Sequence, residues 1–526
     1  MAKRESKPKG ARSKTGAAAP SPAATAAAAA RATPPALTVR HYCQGIGDCH
    51  LLTFFKDDGR PFRMLIDCGI HSSVSGGSDL IDAIATDIRD VTGRSIDVLV
   101  VTHEHWDHVS GFSTAGEIFQ SIPVGEVWMA WTEDPDDADA REFDMFRAQA
   151  VSALQGASRR MEAAGETSFH MFSLGKGLQS VLGFQFGAKG EKVRAARDAA
   201  ARLGTTQPPR YLEPSAAPIT LPGVPNLKVY VLGPPRDRKL LRLEEKADEM
   251  FPLADLKGWA LGRMLAAGLA ASAGEVGPLP GEDAPFDYNI GTPLADALNG
   301  HAGAISDFVN RHYSGPVPQP EPPAERKRAK RVVDQNLLDQ SWRRIDADWL
   351  GIAADLALQL DRGVNNTSLV LAFEIGSAGR VFLFPGDAQI GNWLSWKDVS
   401  WPVDTGTVTA ADLLARTVYL KVAHHGSHNA TPRRNGLDLI TARDLSAFVP
   451  VSEESARKVG WSEMPFQSIL TALASKTSGR VVRADDPWIG ASGGVPGFTT
   501  PSGSILAVRS GVIKGSAARW VEFDLA

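Results

Sequence analysis

Four side chains able to bind a metal ion fall within six consecutive positions: His103, His105, Asp107 and His108, in the run Thr102-His103-Glu104-His105-Trp106-Asp107-His108. Imidazole and carboxylate are borderline donors that suit zinc, manganese or iron. On a tight loop the alternate residues His103 and His105 can face one ion while Asp107 and His108 turn toward a second. This spacing is far more specific than a lone histidine. Three further segments carry the same residue types at the ends of apolar runs: Leu65-Ile66-Asp67-Cys68-Gly69, Phe384-Pro385-Gly386-Asp387 and Lys421-Val422-Ala423-His424-His425-Gly426-Ser427-His428. A divalent cation held by such a set lowers the pKa of its bound water toward about 7, which provides a nucleophile at neutral pH.

The elements that position these residues follow from hydrophobic period. Leu37–Tyr42, His50–Phe55 and Phe62–Ile66 read as strands, with Gly45 and Gly47 marking one turn and Asp57-Asp58-Gly59 a hairpin. Leu80, Ile84, Ile88 and Val91 share a helical face over Ser78–Val91, with Ser78 placed to cap it. The run Val98-Leu99-Val100-Val101 predicts a strand buried on both faces that delivers the chain into the metal-binding run. Gly111–Gln120 reads as a helix and Val124–Trp131 as the next strand. From about 132 to 349 helical stretches dominate (Arg141–Ala164, Glu191–Leu203, Lys239–Met250, Leu256–Ala271), with a strand at Leu227–Leu232, a proline-rich linker at Pro316–Pro323 and a basic run at Arg326–Arg331. Strands resume at Ser368–Glu374, Arg380–Phe384, Val418–Ala423, Ala447–Val451, Arg480–Arg483 and Ser504–Val508, with a helix at Gln467–Ser475.

The run from His103 to His108 resembles the defining motif of the metallo-β-lactamase superfamily. Asp67 is similar to the aspartate that ends an early strand there, Asp387 to the bridging carboxylate, and His424-His425-Gly426-Ser427 to the late histidine motif. The resemblance implies an α/β fold, the αββα sandwich of that superfamily, here with a large, mostly helical insertion. Gln44-Gly45-Ile46-Gly47-Asp48, Asn366-Thr367-Ser368-Leu369-Val370-Leu371 and Lys421–Ser427 further resemble the β-lactamase-like domain of the competence DNA-uptake channel family. The implied division is a basic Ala/Pro-rich tail (1–36), a first part of the catalytic domain (37–131), a helical insertion or lid (132–349, including the strand at 227–232) and a second part (350–526). Where many superfamily members carry a further histidine, this chain has Asn366 or Asn365, so one of two ions is expected to be weakly held or absent. His170, in the insertion, is a candidate substitute. Ser462–Phe466 stands where channel relatives have a histidine-rich stretch.

The implied metal ligands are therefore His103, His105, Asp107, His108, Asp387 and one of His424 and His425, for one or two Zn2+ ions or for Mn2+. The His-x-Gly-Ser pattern favours His424. Asp107 is placed to orient or deprotonate water. His428 reads either as a proton donor to the leaving group or as an ordinary loop histidine. Asp48 is a weaker supporting candidate, and Ser427 a phosphate donor or a turn residue. The expected activity is hydrolysis of a phosphodiester or related phosphoester, with nucleic acid among the candidate substrates. The alternatives are a carbonyl-ester or lactone hydrolase, and a non-catalytic scaffold with a degenerate metal site.

The 526 residues allow two to four domains, and a composition of 43% hydrophobic and 22% charged residues supports a sizeable core. A net charge of −4 argues against a chain coated in nucleic acid. Three cysteines, Cys43, Cys49 and Cys68, make a disulfide framework unexpected and point to a cytoplasmic setting. No apolar run reaches the length of a membrane span. Oligomeric state leaves no mark in the sequence.

Overall fold

The computed structural model describes residues 35–145, 147–148, 191–241, 243, 303–312, 363–404, 406–458, 461, 463–491 and 496–526. The basic tail up to residue 34, His170, the stretch Leu256–Ala271, the linker Pro316–Pro323 and the run Arg326–Arg331 lie outside these residues, as do most of Arg141–Ala164 and Lys239–Met250.

Two sheets form the centre. The strands in chain order are β1 Leu37–Cys43, β2 Cys49–Phe55, β3 Pro61–Cys68, β4 Ile96–Val101, β5 Val124–Ala130, β6 Arg210–Leu212, β7 Leu227–Gly233, β8 Val370–Ile375, β9 Arg380–Phe384, β10 Ser400–Val403, β11 Gly406–Thr409, β12 Thr417–Lys421, β13 Ser446–Val449, β14 Val481–Arg483, β15 Ile505–Val512 and β16 Arg519–Leu525. The first sheet runs β15-β16-β1-β2-β3-β4-β5-β6 and the second β14-β13-β12-β9-β8-β7, with β10 and β11 as a separate ribbon. β1, β2 and β3 pair antiparallel, and β3, β4, β5 and β6 pair parallel. In the second sheet β7, β8 and β9 are antiparallel, while β9, β12, β13 and β14 are parallel. The strands β6 and β7 come from the 132–349 region, yet each joins a sheet.

Three apolar clusters define the layers. One lies between the sheets, where Val39, Leu52, Met64 and Val100 of the first meet Val231, Phe373, Phe382 and Phe448 of the second. A second covers the outer face of the first sheet under the helices Gly77–Val91, Trp106–Thr114, Gly116–Gln120 and Glu191–Ala201. A third covers the outer face of the second sheet under Ile390–Ser395, Ala410–Ala415 and Gln467–Thr477. The order is helix, sheet, sheet, helix, because each sheet has two apolar faces and both must be covered. No helix among the described residues is long and apolar enough to cross a membrane.

Several elements differ in detail from the sequence expectation. The helix Gly77–Val91 begins before Ser78, because Gly76 adopts the left-handed conformation at its start (φ 71) and no side chain caps it. Its buried face is Ile81, Ile84, Ala85 and Ile88, with Leu80 and Val91 at the margin. The helix expected at Gly111–Gln120 is two, Trp106–Thr114 and Gly116–Gln120, and the first begins inside the metal-binding run with His105 as its N-cap. A strand unforeseen in the sequence, β16, pairs with β1 along its full length, from Leu37 opposite Leu525 to Cys43 opposite Arg519.

Candidate metal centre

Strand register explains how distant residues meet. Parallel pairing sets Met64, Leu65 and Ile66 opposite Val98, Leu99 and Val100, so Asp67 and Thr102 emerge together at the carboxyl ends of β3 and β4. There the Thr102 N–H donates to Asp67 Oδ1 (2.8 Å) and the Thr102 hydroxyl to Asp67 Oδ2 (2.6 Å). In the second sheet, Tyr419 and Leu420 lie opposite Phe382 and Leu383, which brings Asp387 and the segment after Lys421 out at one end. Crevices at the carboxyl ends of parallel strands are where open α/β sheets place their ligands.

Two glycines let the loops close on each other. Gly47 has φ 131, and a Cβ there would sit 2.6 Å from the Gly69 carbonyl oxygen and 2.7 Å from that of Asp107. A Cβ on Gly69 would overlap the backbone of Asp107 and His108. The backbones are tied in this contact: Asp48 N–H donates to Asp107 O and Gly69 N–H to Asp48 O, both at 3.0 Å.

Four side chains converge. The His108 Nε2 to Asp387 Oδ2 distance is 3.1 Å, His425 Nε2 to Asp107 Oδ2 is 3.1 Å, and His425 Nε2 to Asp387 Oδ2 is 3.5 Å. Ligand atoms of Asp107, His108, Asp387 and His425 all lie within 4.8 Å of one another, and all four residues are buried. Bonds of about 2.0–2.2 Å in a tetrahedral arrangement separate ligands by about 3.3–3.6 Å, close to these spacings.

The outer hydrogen bonds fix which ring nitrogens are involved. His425 Nδ1 donates to the Pro450 carbonyl (2.6 Å), and His108 Nδ1 pairs with Asp67 Oδ2 (2.8 Å). The neutral tautomers then aim the lone pairs of both Nε2 atoms at carboxylate oxygens that also carry lone pairs. Only a cation or protons can reconcile that arrangement, and a histidine anchored by carboxylate or carbonyl is the usual support of a metal ligand. Burial disfavours imidazolium at His108 and His425, but the surrounding carboxylates, Asp387 foremost, outweigh it and raise both pKa values. Burial likewise opposes ionisation of Asp107, yet His108 and His425 hold its carboxyl far below the usual range. A buried, net-negative group of this kind favours a divalent ion, so the residues present fit a metal.

His103 and His105 lie beside this group. Their Nε2 and Nδ1 atoms are 3.0 Å apart, and the rings of His103 and His108 are 4.2 Å apart. Burial pushes both pKa values down, His105 to about 3, so both rings are neutral donors. His424, favoured over His425 by the spacing, is not one of the converging four: Gln389 Nε2 donates to its Nδ1 (3.0 Å), and its backbone N–H donates to Asp387 Oδ1 (3.1 Å). Asn366 is a structural residue, accepting from Asn392 N–H (3.0 Å) and donating to Leu243 O (2.9 Å). Asn365 is fully buried. His428 packs edge-on toward Phe466 at 6.1 Å, and Ser427 donates to Asn429 Oδ1 at 3.0 Å. Neither belongs to the converging four.

Two residues in the site escaped the sequence reading. Glu104, between the two histidines, pairs with Arg197 Nη1 at 2.6 Å, and Lys421 contacts both Asp48 and Asp387. The apolar strand leading into the late histidines was a signal that a lysine there is buried and paired. Behind Asp48 a polar chain continues inward, with His50 Nε2 at 3.4 Å, His41 and His50 Nδ1 atoms 2.9 Å apart, and His41 Nε2 2.6 Å from the Tyr419 hydroxyl.

Residues 47–133 match the metallo-beta-lactamase superfamily. The superfamily is generally hydrolytic and metal-dependent, and the match spans β2 to β5 with Asp67 and the whole run from His103 to His108. Asp387 and His425 lie outside the matched stretch and join the site through the fold. No curated protein matches the chain.

Proposed function

We propose that this chain is a metal-dependent hydrolase that cleaves a phosphodiester or a related phosphoester. The observation that carries the reading is the convergence of Asp107, His108, Asp387 and His425, with both histidines locked so that Nε2 faces inward. A divalent cation there supplies Lewis acidity and an activated water at neutral pH. Asp67, Thr102 and Pro450 orient the donors. Asp107 and Asp387 carry the negative charge that retains the ion, and Asp107 would orient the attacking water through its hydrogen-bonding carboxylate. The neutral pair His103 and His105 offers a second place for an ion, and two ions suit in-line displacement at phosphorus. The resemblance of Gln44–Asp48, Asn366–Leu371 and Lys421–Ser427 to the competence DNA-uptake family supports a phosphodiester over a carbonyl substrate. The structural role of Asn366 favours tight binding of a single ion at the four-residue group.

The test is zinc or manganese titration of the purified protein against bis(p-nitrophenyl) phosphate and DNA oligonucleotides, with a lactone and a β-lactam in parallel. Metal-dependent phosphodiester cleavage is expected, falling at least about 100-fold in Asp107→Ala/His108→Ala. Cleavage unchanged in that variant overturns the proposal. Preferential lactone turnover assigns carbonyl chemistry, and absence of bound metal assigns a scaffold.

A further inference from the structure

Lys421 lies at the end of β12 with its side chain 1% exposed. Its ammonium has three protons and three acceptors: Asp48 Oδ2, Gly386 O at 2.8 Å and Asp387 Oδ1 at 3.3 Å. This divides the Asp387 carboxylate. Oδ1 receives Lys421 and the His424 backbone N–H (3.1 Å), whereas Oδ2 faces His108 Nε2 (3.1 Å) and His425 Nε2 (3.5 Å). A carboxylate with both oxygens open can bind a metal through one or both. Here only Oδ2 is open.

Asp48, Asp67 and His108 also bring ligand atoms within 4.8 Å of one another, a second group anionic enough to attract a cation. That place is taken. Lys421 contacts Asp48, while Thr102 and His108 Nδ1 satisfy Asp67. We propose that Lys421 is the positioning residue of the metal centre: its ammonium serves as the resident cation beside Asp48 and restrains Asp387 so that only Oδ2 reaches the ion. The proposal rests on the metal-centre reading given above. Its rival is that Lys421 merely neutralises Asp48 and touches Asp387 without consequence.

Removing Lys421 alone strands a buried carboxylate and lowers stability under either view. The decisive variant is therefore Lys421→Met/Asp48→Asn, which deletes both charges of the pair; exchanging a buried pair for neutral groups is often tolerated. The readouts are thermal unfolding of the metal-free protein, zinc affinity by competition with a chromophoric chelator, and the visible spectrum of the Co2+ form. The expected result is near-wild-type unfolding, zinc affinity weakened about 10–100-fold, the usual effect of losing a residue that orients a ligand, and an altered Co2+ spectrum as Asp387 binds differently. Wild-type affinity and an unchanged spectrum in the double variant overturn the proposal. If the double variant does not fold, Lys421→Arg decides: it keeps the charge, but a planar guanidinium cannot reproduce the three contacts. An altered Co2+ spectrum then supports the proposal and an unchanged one overturns it. Failure of the wild-type protein itself to bind zinc or Co2+ removes the metal-centre reading, a result distinct from a wild-type protein that binds while Lys421 proves indifferent.

Discussion

His424 and His425 are neighbours of the same chemical type, and backbone conformation decides which one joins Asp107, His108 and Asp387. Both adopt left-handed dihedrals, with φ 45 and 53, as does Asp67 with φ 56. Non-glycine residues pay of order 1–3 kcal/mol for such conformations and keep them where the surroundings over-determine them, commonly at functional sites. The two consecutive left-handed residues turn His425 inward to Asp107 and leave His424 beside Gln389. On the proposed metal centre, His425→Ala is therefore expected to lower zinc affinity by more than about 100-fold, since it removes one of the four converging side chains, while His424→Ala lowers it by less than about 10-fold. Equal losses in the two variants, measured by chelator competition, contradict this assignment. The convergence of Asp107, His108 and Asp387 follows from residue types at strand ends that were legible in the sequence. The choice between His424 and His425 was not, because motif spacing carries no information about a dihedral angle.

At the scale of elements, the helix Glu191–Ala201 is tied to the His103–His108 loop. Arg197 Nη1 bridges Glu104 Oε2 (2.6 Å) and Glu133 Oε2 (2.8 Å), and Arg147 lies 3.4 Å from Glu133 and 3.7 Å from Glu104. Glu104 sits between His103 and His105, so this ion cluster ties down the loop that carries them. Burial pushes the Glu133 carboxyl up, but Arg147 and Arg197 outweigh it and hold the pKa at about 2. A carboxyl depressed from about 4.5 contributes stability that is complete above about pH 4.5 and disappears as pH falls toward 2. Arg197→Met leaves two buried carboxylates to share Arg147. It is expected to cost up to about 3–5 kcal/mol and to move acid unfolding to higher pH, followed by circular dichroism across pH 2–7. An acid midpoint unmoved by the substitution rules out this role. None of this was readable in advance. Glu104 looks like a spacer within the motif, and its partner is separated from it by 93 positions with no periodic signal linking them.

For the whole molecule, the layering depends on strands that arrive late in the chain. The early meander, the buried strand Ile96–Val101 and the strands around Asp387 were legible because each shows a continuous or alternating apolar pattern. The closing strand β16 was overlooked although Val521, Phe523 and Leu525 alternate with Trp520, Glu522 and Asp524 in the period of a half-buried strand. It lies between β1 and β15, with Val521, Phe523 and Leu525 buried in the layer between the sheets. Its polar face is held too, by Thr38 to Asp524 (2.8 Å) and Arg40 to Glu522 (2.8 Å). Deleting residues 519–526 removes three buried apolar side chains, whose burial contributes about 1.5–3 kcal/mol each. It also strips β1 of its outer partner and leaves β15 without a neighbour in the sheet. The apolar loss alone approaches the roughly 5–15 kcal/mol that stabilises a typical domain. The truncated chain is therefore expected to aggregate or to lose its cooperative thermal transition, even though Asp107, His108, Asp387 and His425 all remain. The comparison that isolates the effect is Val521→Ala/Phe523→Ala in the full chain, which keeps the backbone pairing and removes only core volume. Its unfolding temperature should fall while zinc stoichiometry stays that of the wild type, because none of Asp107, His108, Asp387 and His425 lies on β16, and Phe523 approaches them through His41 and Tyr419, at ring distances of 5.8 and 6.0 Å. Loss of zinc in a variant that still melts cooperatively would mean that the sheet edge and the metal centre are coupled more closely than the separate layers imply.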